Sequence, residues 1–157
     1  KWLTYPTRQE LPLLAEAAQA SLKEIGIEVD INNTLDVNEV VQDASAWDVY
    51  AMANVQAPTG DPEYWFRVFA LSDSAKNQGK YSNAQLDALD EQLSQEFDTA
   101  KREELAKEIQ AVEVEDCGFF TLGHLKYQIA ANNKVSGYST QATEAYILTK
   151  DTDIAAE

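Results

Sequence analysis

The sequence predicts an α/β fold, because strand-like and helix-like segments alternate along its first 55 residues. Strand character occurs at residues 1–6, 27–32 and 47–55, where alternation, β-branched residues or a buried apolar run are present. Apolar residues between these runs recur at helical spacing. Parallel strands require crossover connections of about this length, so the pattern favours a three-stranded α/β unit with flanking helices.

The first helix lies between the first two strands. Its apolar residues recur at three- and four-residue steps: Leu11, Leu14, Ala18, Leu22 and Ile25. Gly26 follows as a C-terminal cap. Two starts of this helix remain open. Thr7 and Glu10 can form a capping box, or Glu10 can be the cap itself, which places Pro12 in the first helical turn, where proline is tolerated. A short second helix is predicted in the stretch "TLDVNEVVQDA", residues 34–44.

The middle of the chain is predicted to be helical. Asp61 begins a short helix over residues 62–70, because an acidic residue before proline is a favourable helix start. Ser82 and Gln85 form a capping box for the next helix. Asp98 caps a further helix, and the short link between the last two makes them antiparallel neighbours.

Strand character returns after these helices. We expect a strand within residues 119–132, a turn-rich segment at 134–140 and a last strand at 144–150. The predicted core draws on the helices and the central strands: Leu11, Leu14, Leu22, Val49, Phe66, Leu86, Leu93, Leu105 and Ile109. Phe66 and Phe69 are three residues apart on a helix, which also favours the core.

Composition limits the possible functions. The 157 residues suit one compact domain, residues 1–157, and no apolar run approaches the length of a membrane span. Twelve basic against twenty-seven acidic residues give a net charge of −15, which argues against nucleic acid and anionic membranes as partners. A single cysteine, Cys117, excludes an internal disulfide and a four-cysteine metal cluster. Because the chain starts at Lys1, we expect a mature or excised piece of a longer protein.

The stretch "NVQAPTGDPEYWF", residues 54–66, contains the main candidate binding residues. Asp61 can cap a helix with one carboxylate oxygen and receive a ligand ammonium or a water with the other. The rings of Tyr64 and Trp65 can wall a cleft at the carboxyl end of a strand. Arg67 can hold a ligand carboxylate, although a solvated surface arginine is the commoner interpretation.

His124 is the single histidine, seven residues after Cys117. On one strand this odd separation would place the two side chains on opposite faces, which disfavours a joint metal site. His124 alone could contact a metal-loaded ligand, although a structural histidine is the favoured interpretation. The sequence contains no phosphate-binding loop, nucleophile elbow or His-Glu-x-x-His motif, so we predict neither a catalytic site nor a cofactor.

Five strings in order resemble a known family: "LAEAAQASLKEIGIEVDI", "GDPEYWF", "YSNAQLDALDEQL", "FDTAKREELAKEIQ" and "FFTLGHLK". They resemble the C-terminal lobe of family 5 extracellular solute-binding proteins, which serve dipeptide, oligopeptide and nickel ABC transporters. The similarity covers nearly the whole chain, and "APTGDPEYWF" with "FFTLGHLK" is most similar to the nickel branch.

The resemblance implies a periplasmic-binding-protein-like lobe, with a mixed sheet and flanking helices. It implies capture of a small peptide or a nickel chelate, a partner N-terminal lobe outside this chain, an ABC permease in the membrane, and a periplasmic or cell-surface location. Asp61 matches the Asp of the family's Gly-Asp-Pro motif. In dipeptide-binding relatives this Asp receives the ligand's ammonium group. The alternative is a stand-alone protein-interaction domain that kept this lobe fold.

Overall fold

The computed structural model describes residues 1–126, 128–138 and 148–155. A parallel sheet is built by three short strands in the order β2-β1-β3: β1 (Trp2–Thr4), β2 (Ile31–Asn33) and β3 (Val49–Tyr50). The strands are shorter than predicted, and β2 lies toward the end of its predicted range. Trp2 pairs with both Ile31 and Val49, so β1 is the central strand. The predicted α/β fold is confirmed.

Two helices cover the sheet. Helix α1 (Glu10–Glu24) packs on the face of Trp2, and helix α2 (Val37–Val40) packs on the face of Leu3, because successive side chains of a strand point to opposite faces. Gly26 ends α1 with a φ of 82°, as its sequence position predicts. At the other end Gln9 precedes the helix without a side-chain cap, so neither predicted start of α1 is formed.

Three further helical segments follow. Helix α3 (Glu63–Trp65) continues into a π-helical turn (Phe66–Ala70), and helices α4 (Ala84–Gln95) and α5 (Thr99–Asp116) pack against each other. Their shared core is one cluster of buried residues: Phe66, Ala70, Leu86, Leu89, Leu93, Ala106 and Ile109. We call residues 2–53 the sheet half and residues 61–119 the helical half.

The caps of α4 and α5 differ in how well they were predicted. Asp98 accepts a hydrogen bond from the Lys101 amide at 3.0 Å, which confirms the predicted cap of α5. Asn83 caps α4, with its Oδ1 accepting from the amides of Gln85 and Leu86 at 2.8 and 3.0 Å. The predicted Ser82 cap is therefore wrong by one residue, because asparagine and serine are equally good caps and they are adjacent here.

The segment after α5 lacks the strand predicted there. Among residues 119–126 and 128–132 no strand is formed, and most of these residues are exposed. Apolar alternation stabilises a strand only where a neighbouring strand supplies hydrogen bonds. An antiparallel pair forms later, between β4 (Val135–Ser136) and β5 (Asp153–Ile154). Of the predicted last strand, residues 144–147 lie outside the described residues and 148–150 are not in a strand.

Most of the predicted core is inside the protein. Five of the nine predicted residues are buried: Leu11, Phe66, Leu86, Leu93 and Ile109. The other four are only partly buried: Leu14, Leu22, Val49 and Leu105. Phe69 is buried as predicted. Within the described parts of the chain, no helix has both the length and the apolar character needed to cross a membrane.

Candidate functional site

The candidate site is the turn that connects the sheet half to the helical half. All three strands are parallel, so their carboxyl ends meet at one edge, where ligands commonly bind in α/β folds. The chain leaving β3 is tied to this edge, because the Ala53 amide donates a hydrogen bond to Tyr5 Oη at 3.2 Å. It then reverses at the Gly60 turn, residues 57–63, where the Gly60 amide donates to the Ala57 carbonyl at 3.0 Å. The φ of 84° at Gly60 lies in the region that favours glycine.

Asp61 uses both carboxylate oxygens within the protein. Its Oδ1 accepts a hydrogen bond from the Glu63 amide at 3.0 Å, so Asp61 makes the predicted bond to the start of the helix, which begins one residue later than predicted. Its Oδ2 accepts from Arg102 Nη2 at 2.7 Å. The side chain remains 41% exposed. Since a carboxylate has about four lone-pair sites, two remain open to a ligand or a water.

Arg102 connects this turn to the two long helices. Its Nη2 also donates to Glu63 Oε2 at 2.7 Å, and its Nη1 donates to the carbonyls of Leu93 at 2.6 Å and Glu96 at 2.8 Å. The hydrogen bonds that the guanidinium donates to Glu63 and Asp61 keep its pKa above the ordinary value. Asp61 and Glu63 share the Arg102 guanidinium, and Glu63 is also 3.4 Å from Arg67 Nη1, so both carboxylates are paired with arginines.

An open cleft of about 480 Å³ lies beside the turn. The turn supplies Gly60, Asp61 and Pro62 to its lining, and α5 supplies the rest: Thr99, Arg102, Glu103, Ala106, Lys107 and Gln110. Asp61 therefore lies on an accessible concave surface. Most of the lining residues have polar or charged groups, while apolar atoms supply the larger part of the exposed lining surface.

The two rings after Asp61 take different positions. Tyr64 is exposed and makes an edge contact with Phe69, with ring centroids 6.5 Å apart. Trp65 stacks on Phe69 at 4.9 Å and donates from Nε1 to Glu113 Oε1 at 2.8 Å. Burial raises the pKa of Glu113, and the bond from Trp65 partly offsets that effect. Tyr64 is thus available to a ligand, whereas Trp65 packs against the core of the helical half.

Arg67 lies between two carboxylates of the helical half. Its Nη1 is 3.4 Å from Glu63 Oε1 and its Nε is 3.8 Å from Asp90 Oδ2. Asp90 is only 2% exposed, and its Oδ1 has no hydrogen-bond partner among the described residues. Burial is the main cause that raises the pKa of Asp90 to about 6, against the lowering effect of Arg67. Arg67 itself remains half exposed, so it could still reach a ligand carboxylate.

His124 is placed apart from these groups. It is exposed in the irregular segment after α5, and it is absent from the described residues that line the cleft. Cys117 ends α5 in a left-handed conformation, so the argument that placed it on one strand with His124 no longer applies. Within the described ranges, no group of three or more His, Cys, Asp or Glu side chains could hold a metal ion.

Three residues around the site were not predicted from the sequence. Arg102 and Tyr5 contact residues 41 and 48 positions away, and no local pattern reveals such pairs. Glu63 follows Asp61 closely, and a second acid in the first helical turn was the only available signal. The predicted residues Tyr64, Trp65 and Arg67 share one short helical region, and Asp61 lies in the turn directly before it, because they are close in sequence.

Known proteins resemble the chain in both sequence and structure. No family model matches it. The nickel-binding protein NikA of Staphylococcus aureus is 30% identical over 154 residues, which cover 98% of this chain and 31% of that protein. The crystal structure of NikA in complex with Ni(L-His)2 aligns with a TM-score of 0.76 and 27% identity, over 98% of this chain and 33% of NikA.

Two other solved structures align over 98% of this chain and 33% of their own length. The nickel ABC transporter protein of Bacillus halodurans gives a TM-score of 0.80 at 29% identity. The putative peptide-binding protein AppA of Clostridium difficile gives 0.78 at 27% identity. The chain thus spans about a third of the length of these relatives. The names of these relatives describe binding and transport rather than catalysis.

Proposed function

We propose that this chain is the ligand-binding lobe of a family 5 extracellular solute-binding protein that serves an ABC importer. Its sequence and its fold are similar to one lobe of such proteins. The observation that carries the proposal is the alignment of almost the whole chain with nickel- and peptide-binding proteins. Residues 1–157 form a single lobe in this proposal, and a partner lobe of the same protein supplies the facing wall of the ligand site.

The ligand is a small peptide or a nickel chelate. Asp61 is the main contact, because its carboxylate is accessible in the cleft and two of its lone-pair sites remain open. The exposed carboxylate of Asp61 can accept hydrogen bonds from an ammonium group, which a peptide supplies at its N-terminus. Tyr64 and Arg67 add an exposed ring and an exposed guanidinium. Trp65 and His124 complete the set of predicted contacts.

The protein acts by capture and release, without a chemical step. Its only histidine is exposed and lies outside the described lining of the cleft, so it is poorly placed as a general base beside Asp61. Capture for import also requires an ABC permease in the membrane and a periplasmic or cell-surface location. Nucleic acid is disfavoured as a partner by the net charge of −15.

The test is a titration of the two-lobed protein with dipeptides and nickel–histidine chelates, for wild type and for Asp61→Asn. The amide keeps the shape and can still accept the Glu63 hydrogen bond, but it lacks the negative charge. We expect about 10- to 100-fold weaker binding, the effect of losing one hydrogen bond to a charged group. Asp73→Asn is the matched control on an exposed loop and should leave affinity unchanged.

Three results would count against the proposal. Unchanged affinity in Asp61→Asn would remove Asp61 from the site. Failure of the wild-type protein to bind either ligand class would remove the proposed function itself. His124→Ala in the same titration decides its own role, because unchanged affinity for the nickel chelate would exclude a contact with His124.

A further inference from the structure

We propose that Arg102 is the positioning residue of the Gly60 turn: its guanidinium fixes the place of Asp61 by joining the turn to the carboxyl end of α4. Four hydrogen bonds of 2.6 to 2.8 Å carry this inference. This inference depends on the proposed function in one respect, namely that the Gly60 turn faces the ligand. The positioning itself follows from contacts within this chain.

The geometry of the guanidinium suits this role. One terminal nitrogen donates to two backbone carbonyls, of Leu93 and Glu96, where α4 ends and its dipole is negative. The other terminal nitrogen donates to two carboxylates, of Asp61 and Glu63. A guanidinium holds its donors in a rigid planar fork, so fixing one side of the fork fixes the other.

The helix that follows the turn is held against the long helices by the Trp65–Glu113 hydrogen bond and by buried Phe66, whereas the bonds within the turn are local. The backbone bond from Gly60 to Ala57 closes the turn on itself, and the Asp61–Glu63 bond is equally local. Neither bond sets the distance between the turn and the long helices. Arg102 does so, and only 20% of its side chain is exposed, so water competes weakly for its donors.

Loss of Arg102 has two effects on the turn. The carbonyls at the end of α4 lose charged donors, and two carboxylates that share one nitrogen at 2.7 Å are left to repel each other. Lysine keeps the charge but presents a single nitrogen with three donors, which cannot serve four acceptors on two sides. The Arg102→Lys variant therefore removes the planar arrangement of the donors while it keeps the positive charge.

The test is residue-resolved amide hydrogen exchange on the full chain without ligand, for wild type, Arg102→Ala, Arg102→Lys and Lys101→Ala. Both Arg102 variants should exchange the amides of Gly60, Glu63 and Trp65 at least about tenfold faster, as the loss of one charge-assisted hydrogen bond implies. The interior amides of α4 should keep their rates. Lys101, an exposed cation of the same helix that pairs with Glu96 at 3.8 Å and is absent from the described cleft lining, is the matched control and should leave these rates unchanged.

The proposal fails if the turn exchanges at wild-type rates in both Arg102 variants, or if Arg102→Lys restores the wild-type rates. It also fails if exchange accelerates equally throughout α4 and α5, because that result describes a general stabilising contact. If Arg102→Ala does not fold, Arg102→Lys decides alone. Ligand affinity is measured separately, so a failure here leaves the ligand proposal intact and a failure to bind ligand leaves this result intact.

Discussion

The sheet half and the helical half bury their apolar side chains in different ways. The sheet half divides its core between two faces, with Trp2 and Leu11 on one and Leu3 and Val37 on the other. The helical half has one continuous cluster to which the π-helical turn, α4 and α5 all contribute. Among the residues that the structure describes, no buried cluster takes members from both halves.

This difference shows where the two halves are joined. Polar contacts lie at either end of the connecting chain: Tyr5 holds Ala53 on the sheet side, and Arg102 holds Asp61 on the helical side. Hydrogen bonds are directional, whereas apolar contacts are not, so each bond fixes one end of the connecting chain to its own half. The candidate ligand residue Asp61 lies within this connection.

The largest expected effect comes from truncating one core residue in each half. Leu3→Ala and Leu93→Ala, both at fully buried positions, should each lower the free energy of unfolding by about 2–5 kcal/mol. Because the two residues belong to separate clusters, the double variant should be additive within about 0.5 kcal/mol. Urea unfolding followed by circular dichroism measures all three values.

A matched double variant sharpens that result. Leu86 and Leu93 lie in the same cluster, so Leu86→Ala with Leu93→Ala should deviate from additivity. If Leu3 and Leu93 instead show a coupling energy above about 1 kcal/mol, the two cores are not independent and the comparison is wrong.

A smaller effect concerns pH and the helical half alone. Burial raises the pKa of Asp90 from 3.8 to about 6, with Glu63, Glu91 and Asp87 adding to the rise and Arg67 opposing it. The folded protein therefore holds a proton between about pH 4 and pH 6 that the unfolded chain has released. Stability from this group is fully present below about pH 4 and is lost as the pH rises through 6.

Asp90→Asn should remove this dependence. We expect the variant to be more stable than wild type at pH 7, on the order of 2 kcal/mol, and to have a smaller slope between pH 4 and pH 6, because burial also raises the pKa of Glu113, which keeps its own contribution. Asp73→Asn, on an exposed loop, should retain the slope. Denaturant unfolding at a series of pH values measures how the free energy of unfolding changes with pH. An unchanged slope in Asp90→Asn would show that another group causes the pH dependence.

The smallest effect tests the start of α4. Asn83→Ala should cost about 1 kcal/mol, because it removes the acceptor of two backbone amides. Ser82→Ala should cost less than about 0.5 kcal/mol, as a surface substitution outside the cap. Thermal unfolding of both variants measures the two losses of stability. A larger loss in Ser82→Ala than in Asn83→Ala would support Ser82 as the cap, as the sequence predicts.

Local features of the fold were predictable from the sequence, and long-range pairs were not. Asp98 and Gly26 act on neighbours within a few residues, so their caps follow directly from the residue type and the spacing. Asp61 was predictable as a cap for the same reason. Its bond to Arg102 spans 41 residues and depends on how α5 packs, which no local pattern encodes.

The wrong strand at residues 119–132 shows the same limit. Its apolar residues alternate as in a strand, yet a strand also requires a partner, and none lies beside the described residues of this segment. Asp90 shows the limit for side chains. It occurs in the polar string "LDALDEQL", and only the packing of the helical half makes its carboxyl buried.

The most direct test of the central claim, that this chain is one wall of a ligand site, compares the 157-residue chain with the two-lobed protein. Calorimetry with dipeptides and nickel–histidine chelates should give micromolar or tighter binding for the two-lobed protein. The chain alone should unfold cooperatively but bind only at about millimolar concentration, because half of a micromolar affinity's ~8 kcal/mol comes from the facing wall. A low-micromolar dissociation constant for the chain alone, or no binding to the two-lobed protein, would contradict the claim.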